Sequence, residues 1–345
     1  MNRDPGNPAL IEILRRKIQE EGPQPFAWFM EQVLYHPEHG YYSSDRATIG
    51  RRGDYFTNVS IGPLFGQLLA TQFVEIWERL GKCGKFVIVE QGAHHGQFAR
   101  DVLEFLRRQA PQFFSILKYR IIEPFPKLSD RQRAALSEFA DTVQWYSSLD
   151  EFEPFVGIHF SNELLDAMPI NLRGKFVGLD DKHFVFVQSR SPQSVNESQI
   201  DWLNAVAAKL IRGFVVAIDY GFPESHFREV VQVRARHRLL DSPFEEIGHA
   251  DITSHINWTA IAKGGLKNGL RVFGFTDQHH FLTGIISNFH EIVAEEKSKR
   301  ALQTLLHPEM LGRSFQVLAL SRDVDLETSL SGFNFARDAR ETLGL

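Results

Sequence analysis

Cysteine is almost absent from this chain. Its 345 residues include one cysteine, Cys83, which excludes an intrachain disulfide framework and a cysteine-based zinc cluster. A reducing compartment suits such a chain. We therefore expect it in the cytoplasm, or in the mitochondrial matrix if the source is eukaryotic. Residues 1–5 are polar and indicate no cleaved targeting signal.

Long apolar runs and a strong charge of either sign are also missing. No stretch approaches the ~20 apolar residues that a membrane span needs. The formal net charge is −5, from 38 basic and 43 acidic residues. This balance argues against a protein that coats nucleic acid by bulk electrostatics, so we expect no nucleic-acid partner. Hydrophobic residues make up 43% of the chain, which is ordinary for a globular fold.

Several catalytic signatures are missing as well. The sequence contains no His-Glu-x-x-His or comparable ligand spacing. Its histidine pairs, 94–95 and 279–280, are adjacent, and we expect their rings to point apart and form a poor chelate. We therefore expect no metal site. There is no Gly-x-Ser-x-Gly, so an α/β-hydrolase is unsupported.

Apolar segments and helical patterns alternate along most of the chain. The apolar segments predict strands at 85–90, 119–123, 143–146, 157–161 and 214–219. Helical periodicity predicts helices at 8–20, 25–35, 64–80, 98–108 and 128–139, with a further helix beginning at 163–168. Strands that alternate with helices imply parallel pairing in an α/β sheet that is covered on both faces.

Three later segments interrupt this alternation. Residues 175–188 read as a β-hairpin insertion, because two apolar runs flank a pair of aspartates. Residues 271–275 and 315–321 are two more strand candidates. We expect these last two strands to pair antiparallel at one edge of the sheet.

The first strand of the α/β region ends in a loop that suits a ligand. Glu90 precedes Gly92, Ala93 and Gly96, and glycine at both ends of a strand-to-helix loop lets the backbone approach a ligand closely. Position 94 is histidine, so the dinucleotide fingerprint Gly-x-Gly-x-x-Gly fails. A plain turn without a ligand is the alternative.

The next strand ends in an acid, Glu123. An acid at this position can accept hydrogen bonds from two ribose hydroxyls, as S-adenosylmethionine or NAD would offer. Pro124 follows and cannot donate, so we expect little competition from the neighbouring amide. The alternative is that Glu123 caps the following helix.

Two carboxylates and an amide follow the fourth strand. Asn162, Glu163 and Asp166 lie where an open α/β sheet has its ligand crevice. If this segment is helical, the two carboxylates share one face and can hold a guanidinium by charge-assisted bonds. An ordinary helix start with Asn162 as N-cap is the alternative.

One histidine is the best candidate for a proton acceptor at the acceptor site. His255 closes the segment 251–255, and an imidazole with a pKa near ~6.5 can take a proton at neutral pH. Asp251 or Thr253 as a helix cap would explain part of this segment without chemistry.

Ordered motifs run along most of the chain. The most distinctive is the stretch 162–169, Asn-Glu-Leu-Leu-Asp-Ala-Met-Pro. The others lie at 40–42, 53–57, 65–66, 90–96, 122–124, 218–221, 251–255 and 312–318. In this order they resemble the MidA-type class I methyltransferases, over about residues 10–321.

The resemblance implies an S-adenosyl-L-methionine-dependent enzyme with an α/β, Rossmann-like sheet. Seven strands are expected, mostly parallel with the last antiparallel, together with an N-terminal helical segment and a β-hairpin insertion. We expect these parts at 1–80 for the N-terminal segment and cofactor-covering loop, 81–321 for the core, 171–190 for the hairpin, 222–314 for the acceptor or lid region, and 322–345 for a peripheral tail.

The positions argued above and the resemblance together give a set of candidate site residues. The cofactor-binding candidates are Asp54, Thr57, Glu90, Gly92, Ala93, Gly96, Glu123 and Asn162. The catalytic candidates are Asn162, Glu163, Asp166 and His255. Three departures from the family pattern are His94 for its middle glycine, Val59-Ser60 for its Pro-Glu, and Gly66-Gln67 for its Gly-Glu.

The expected function is methyl transfer to an arginine of a protein substrate. A non-catalytic assembly or interaction factor that keeps the fold is one alternative. Methyl transfer to an oxygen or nitrogen of a small molecule is another. The oligomeric state, including a dimer, stays open at this stage.

Overall fold

The computed structural model describes residues 6–43, 57–188, 197–288, 296–325 and 328–345. Asp54, a cofactor candidate, lies outside these residues. The chain forms two compact units. The smaller comprises Met1–Thr57, Leu165–Asp201 and Arg228–His255, and the larger comprises Asn58–Leu164, Trp202–Phe227 and Ile256–Leu345.

Helices and strands alternate through the larger unit, and short strands dominate the smaller. The α-helices are α1 Pro8–Glu21, α2 Phe26–Tyr35, α3 Leu64–Arg79, α4 Gln97–Gln109, α5 Pro111–Ile116, α6 Pro126–Ala135, α7 Glu197–Lys209, α8 Trp258–Lys267, α9 Gln278–Asn288, α10 Glu296–Leu306 and α11 Ala339–Leu343. The strands are β1 Gln24–Pro25, β2 Phe86–Gln91, β3 Leu117–Ile122, β4 Val143–Tyr146, β5 Phe155–Asn162, β6 Lys175–Asp180, β7 His183–Gln188, β8 Leu210–Phe222, β9 Val231–Ala235, β10 Arg238–Leu240, β11 Asp251–Ser254, β12 Ile256–Asn257, β13 Arg271–Asp277 and β14 Phe315–Arg322.

A central, mostly parallel sheet forms the core of the larger unit. Its strand order is β4-β3-β2-β5-β8-β14-β13, and the short β12 also pairs with β8. The sheet therefore has eight strands where seven were expected, because the two-residue β12 joins it. The predicted antiparallel edge is confirmed, since β14 runs antiparallel to both β8 and β13. The parallel strands end at one edge, which is where ligands bind in open α/β sheets.

Close strand packing in this sheet depends on two glycines. Gly157 on β5 has φ +148° and Gly213 on β8 has φ +134°. A Cβ on Gly157 would lie 2.0 Å from the carbonyl oxygen of Val87, and one on Gly213 would lie 1.9 Å from that of Gly157. A side chain at either position would force the neighbouring strand away, so only glycine is compatible with this pairing.

The chain end packs into the larger unit. The polar composition of 322–345 predicts a peripheral tail, yet Leu330, Phe333 and Leu343 are buried. On α3, the carboxylate of Glu75 accepts the backbone N–H of Ser331 at 2.9 Å. With Val324, four apolar side chains of this segment are buried, although polar residues outnumber them in the sequence.

The smaller unit contains two three-stranded sheets, β1-β6-β7 and β10-β9-β11. The predicted hairpin at 175–188 is present as the antiparallel pair β6 and β7. The apolar stripe of α1 is buried, as its periodicity predicts. Among the described helices, none combines the length and apolar character that crossing a membrane requires.

Candidate functional site

The loop between β2 and α4 has an unusual backbone. Gly92 has φ +86°, His94 φ +46° and Gly96 φ +78°. A Cβ on Gly92 would lie 3.4 Å from Cδ1 of Leu164, and one on Gly96 would lie 3.3 Å from Cδ1 of Leu136. The positive φ at both positions is the reason for glycine, since a Cβ at these distances would meet only the ends of leucine side chains. His94 occupies a left-handed conformation that favours glycine.

Glu90 ends the buried part of β2. Only 3% of the residue is exposed, and the Tyr119 hydroxyl donates to Glu90 Oε2 at 2.7 Å. Burial raises the pKa of Glu90 to about 7, and the bond from Tyr119 opposes this shift. Its charge at neutral pH therefore depends on what binds beside it.

Glu123 follows β3 and is also buried. The backbone N–H of Phe125 donates to Glu123 Oε1 at 3.0 Å, and Gln132 Nε2 donates to Oε2 at 2.8 Å. The expectation of little amide competition was wrong, because the chain turns after Pro124 and brings the next amide back to the carboxylate. Burial raises the pKa of Glu123 to about 7. A carboxylate offers about four acceptor positions, so two bonds leave capacity for ribose hydroxyls.

Gln132 on α6 joins these parts, and sequence reasoning missed it. Besides Glu123, its Nε2 donates to the carbonyl oxygen of His94 at 2.8 Å, and its Oε1 accepts from Trp145 Nε1 at 3.1 Å. It is fully buried in a helix with a largely polar sequence. Its spacing of four residues from buried Leu128 was the one signal that could have placed it on the inner face.

The expectation that the rings of His94 and His95 point apart was wrong. Their ring centroids lie 3.8 Å apart and the rings stack. The positive φ of His94 changes the direction of its side chain, which lets two successive rings meet. Burial, helped by positive charge on His95 and Arg131, lowers the pKa of His94 to about 3. Within the described residues, no group of three or more His, Cys, Asp or Glu side chains is placed to hold a metal ion.

At the end of β5, Asn162 and Glu163 form a hydrogen-bonded pair. Asn162 Nδ2 donates to Glu163 Oε1 at 3.0 Å, and the Glu163 backbone N–H donates to the carbonyl of Ile218 at 2.9 Å. The predicted helix at 163–168 is wrong, because these residues form bends and turns and Glu163 has φ +54°. The shared helical face expected for Glu163 and Asp166 is therefore also wrong.

Asp166 and His255 belong to the smaller unit. There, Asp166 is 5% exposed, and its carbonyl oxygen accepts the backbone N–H of Ser254 at 2.8 Å. Residues 251–254 form β11, so helix capping by Asp251 or Thr253 does not explain this motif. Burial lowers the pKa of His255. A backbone hydrogen bond thus joins the turn that contains Asp166 to β11, the strand that precedes His255.

The remaining candidate residues also divide between the two units. Thr57 is the last residue of the first segment of the smaller unit and is buried. Ala93 is buried in the loop of the larger unit, and its carbonyl oxygen accepts the backbone N–H of Gly96 at 2.7 Å. Glu90, Glu123, Asn162 and Glu163 all belong to the larger unit.

The larger unit has the features of an α/β enzyme that binds a nucleoside cofactor. The glycine loop follows β2, and Glu123, an acid with spare acceptor capacity, follows β3. These two strands are adjacent and parallel. These groups fit the ribose of a nucleoside cofactor such as S-adenosylmethionine, and with the mostly parallel sheet they are features of the α/β class that contains the methyltransferases.

Comparison with known proteins specifies the family. The profile of the family described as "Putative S-adenosyl-L-methionine-dependent methyltransferase" matches residues 68–194 and 181–276. These ranges span more than half of the chain, and the chain belongs to this family. It is an S-adenosyl-L-methionine-dependent methyltransferase.

Solved structures and curated relatives agree with this assignment. A Burkholderia thailandensis protein crystallised with S-adenosyl-homocysteine is 29% identical, with a TM-score of 0.85 and 96% of each chain covered. A Drosophila melanogaster relative named protein arginine methyltransferase NDUFAF7 homolog, mitochondrial, is 26% identical over 91% of this chain and 85% of its own. The Homo sapiens NDUFAF7 is 24% identical, over 96% and 87% respectively.

Proposed function

We propose that this methyltransferase acts on an arginine side chain of a protein. The observation that carries the proposal is the Glu163 carboxylate, held by Asn162 at the carboxyl end of β5. A carboxylate in this position can hold a guanidinium by charge-assisted bonds. The names of the Drosophila and human relatives, and the resemblance to MidA-type enzymes, support the same acceptor.

We assign cofactor binding to the loop and the acids around it. Glu90, Gly92, Ala93, Gly96, Glu123 and Asn162 are the proposed contacts within the larger unit, and Asp54 and Thr57 are proposed contacts from the N-terminal segment. When bound, the cofactor supplies a methyl group on an activated sulfonium. The residues of the chain then have to orient the acceptor nitrogen and exclude water, and they need neither a metal nor a covalent nucleophile.

We assign the acceptor side to Glu163, Asp166 and His255, with Asn162 contributing as well. Glu163 and Asp166 would compensate the guanidinium charge. His255, whose pKa is lowered by burial, is neutral near pH 7 and has the protonation state of a base. The partner is then a protein with an accessible arginine. We expect this chemistry in the cytoplasm, or in the mitochondrial matrix in a eukaryotic source.

A non-catalytic assembly factor is the second candidate, and His94 favours it. A histidine in the left-handed conformation replaces the family's middle glycine in the cofactor loop. If this side chain obstructs the methionine part of the cofactor, the fold would persist without turnover.

Calorimetric titration with S-adenosyl-homocysteine, with NAD as control, separates the two candidates. A dissociation constant in the micromolar range, about −8 kcal/mol, supports a working site. Binding of neither ligand would favour the assembly factor. With binding established, transfer of labelled methyl groups into cell extract, followed by analysis of the labelled residue, tests the arginine assignment.

Two variants test the assigned roles. We expect Glu123→Ala to weaken cofactor binding without unfolding the protein, because the ribose loses its acceptor. We expect Asp166→Ala to keep cofactor binding and abolish transfer. Weak cofactor binding with normal turnover in the Asp166 variant would show that its assigned role is wrong.

A further inference from the structure

Asn58 is a buried amide that lies outside all the sequence motifs described above. It is completely inaccessible to solvent and precedes the short 3₁₀-helix Val59–Ile61 in the larger unit. Asparagine in this position usually caps the helix with its side-chain oxygen. Here the side chain accepts no bond from the helix, so capping does not explain why the residue is an asparagine.

The side chain of Asn58 instead belongs to a directed chain of hydrogen bonds. Asn58 Nδ2 donates to Asn162 Oδ1 at 3.0 Å, and Asn162 Nδ2 donates to Glu163 Oε1 at 3.0 Å. An ionised carboxylate only accepts, so Asn162 must present its nitrogen to Glu163 and its oxygen to Asn58. Asn58 must then present its own nitrogen to Asn162. The carboxylate thereby fixes the orientation of both amides.

This orientation leaves Asn58 Oδ1 as an acceptor. The atom is buried, and no described residue donates a hydrogen bond to it. A buried acceptor without a donor is destabilising, which makes a bound donor favourable. The backbone N–H of Asn58 also lies 3.4 Å from Glu163 Oε1. The acceptor oxygen therefore belongs to a residue whose backbone is hydrogen-bonded to the Glu163 carboxylate.

We propose that Asn58 Oδ1, together with the charge of Glu163, binds a cationic N–H donor during the methyl-transfer reaction. The proposal rests on the function proposed above, in which two such donors enter the site. One is the ammonium of the amino-acid part of the cofactor, and the other is the guanidinium of the acceptor. Asn58 is thus a binding residue that favours a positively charged nitrogen over a neutral group of the same size.

Replacement of Asn58 by leucine tests the proposal with three probes. Calorimetry measures the affinity for S-adenosyl-homocysteine and for 5′-methylthioadenosine, which has the nucleoside and sulfur but lacks the ammonium. The third probe is acetyl-Gly-Arg-Gly-amide, titrated into protein saturated with S-adenosyl-homocysteine. If the cofactor ammonium is the donor, Asn58→Leu lowers the affinity for S-adenosyl-homocysteine about 10- to 100-fold and leaves the affinity for methylthioadenosine unchanged.

If the acceptor guanidinium is the donor, both adenosine ligands keep their affinity and the arginine peptide binds about 10- to 100-fold more weakly. Either pattern supports the proposal. Equal weakening of both adenosine ligands would show that Asn58 only supports the fold, and no change with any probe would show that it binds no ligand. Either of these results overturns the proposal.

A second variant and a control protect the experiment from misfolding. Asn58→Ser is smaller and polar, and we expect it to give the same pattern if the leucine variant does not fold. Asn268→Leu is the matched control, because it removes another hydrogen-bonded amide of the larger unit, bonded to Asn204 and Gly264. Absence of arginine methylation by the wild-type protein would contradict the proposed function, whereas the ratio of the two adenosine affinities tests Asn58 without turnover.

Discussion

Gln132 Nε2 lies 2.8 Å from Glu123 Oε2, and this bond connects a helix to the acid that is assigned to the cofactor ribose. The same nitrogen donates to the carbonyl oxygen of His94 in the glycine loop. One buried amide therefore links two parts of the candidate site, the loop between β2 and α4 and the acid that follows β3. Because its oxygen also accepts from Trp145, Gln132 cannot rotate without losing bonds.

Gln132→Leu should weaken binding of S-adenosyl-homocysteine by about tenfold, because a hydrogen bond to a charged group is worth roughly 1.5–3 kcal/mol and part of it orients Glu123. Calorimetry measures the change. Gln112→Leu, at an exposed position on α5, is the control and should bind normally. Equal affinity in the two variants would show that Gln132 does not position the acid.

Cofactor affinity should fall as the pH drops below about 7. Burial raises the pKa of Glu123 to about 7, and ribose hydroxyls donate to the ionised form, so protonation at lower pH competes with binding. Titrations of S-adenosyl-homocysteine between pH 5.5 and 8.5 would show this slope, with the pH values chosen to lie roughly one unit or more around that pKa.

Glu123→Gln is the variant that checks the assignment of this pH dependence. It removes one titrating group and should flatten the profile. The remaining slope then comes from Glu90, whose pKa is also raised to about 7. An unchanged slope would show that Glu123 does not contribute to the pH dependence of cofactor affinity.

His94→Gly and His95→Gly should differ in their effects on stability. His94 has a positive φ, so glycine relieves a conformation that costs an L-residue about 1 kcal/mol, and we expect the free energy of unfolding to stay equal or rise. His95 has no positive φ, and glycine at this position should lower the free energy of unfolding by about 0.5–1 kcal/mol. Urea denaturation measures both. Greater destabilisation by His94→Gly would mean that the stacked ring outweighs the backbone strain.

Acid should destabilise the protein partly through His159. This residue of β5 is fully buried beside Trp202, and neither ring nitrogen has a hydrogen-bond partner among the residues that the structure describes. Burial lowers its pKa to about 3. The unfolded chain takes up this proton below about pH 6.5 and the folded chain does not. The free energy of unfolding should therefore fall from pH 6.5 to about 3, by at most about 1.4 kcal/mol per pH unit from this group.

His159→Phe should reduce that acid sensitivity. The matched control is His183→Phe, at an exposed position of β7, which should keep it. Denaturation curves at several pH values decide the matter, and parallel curves for His159→Phe and the wild-type protein would contradict the assignment.

The alternation of apolar runs and helical periods was sufficient to predict the parallel sheet, its antiparallel edge and the hairpin. This worked because strands buried on both faces must be apolar, and the apolar run at 86–89 is buried as such a strand. The positions of Glu90 and Glu123 at strand ends followed from the same pattern. The sequence by itself thus determined the class of sheet and the edge to which we assign the cofactor.

Hydrogen bonding and backbone conformation at the site depended on tertiary structure. Glu163 looked like the start of a helix, but its left-handed φ, together with its backbone bond to the carbonyl of Ile218 on β8, makes the segment a turn. Gln132 and Asn58 have no local signal strong enough to mark them, because their roles come from partners on other elements of the fold. Local patterns encode which face of an element is apolar, whereas the direction of a buried amide is decided only by the donors and acceptors that packing places around it.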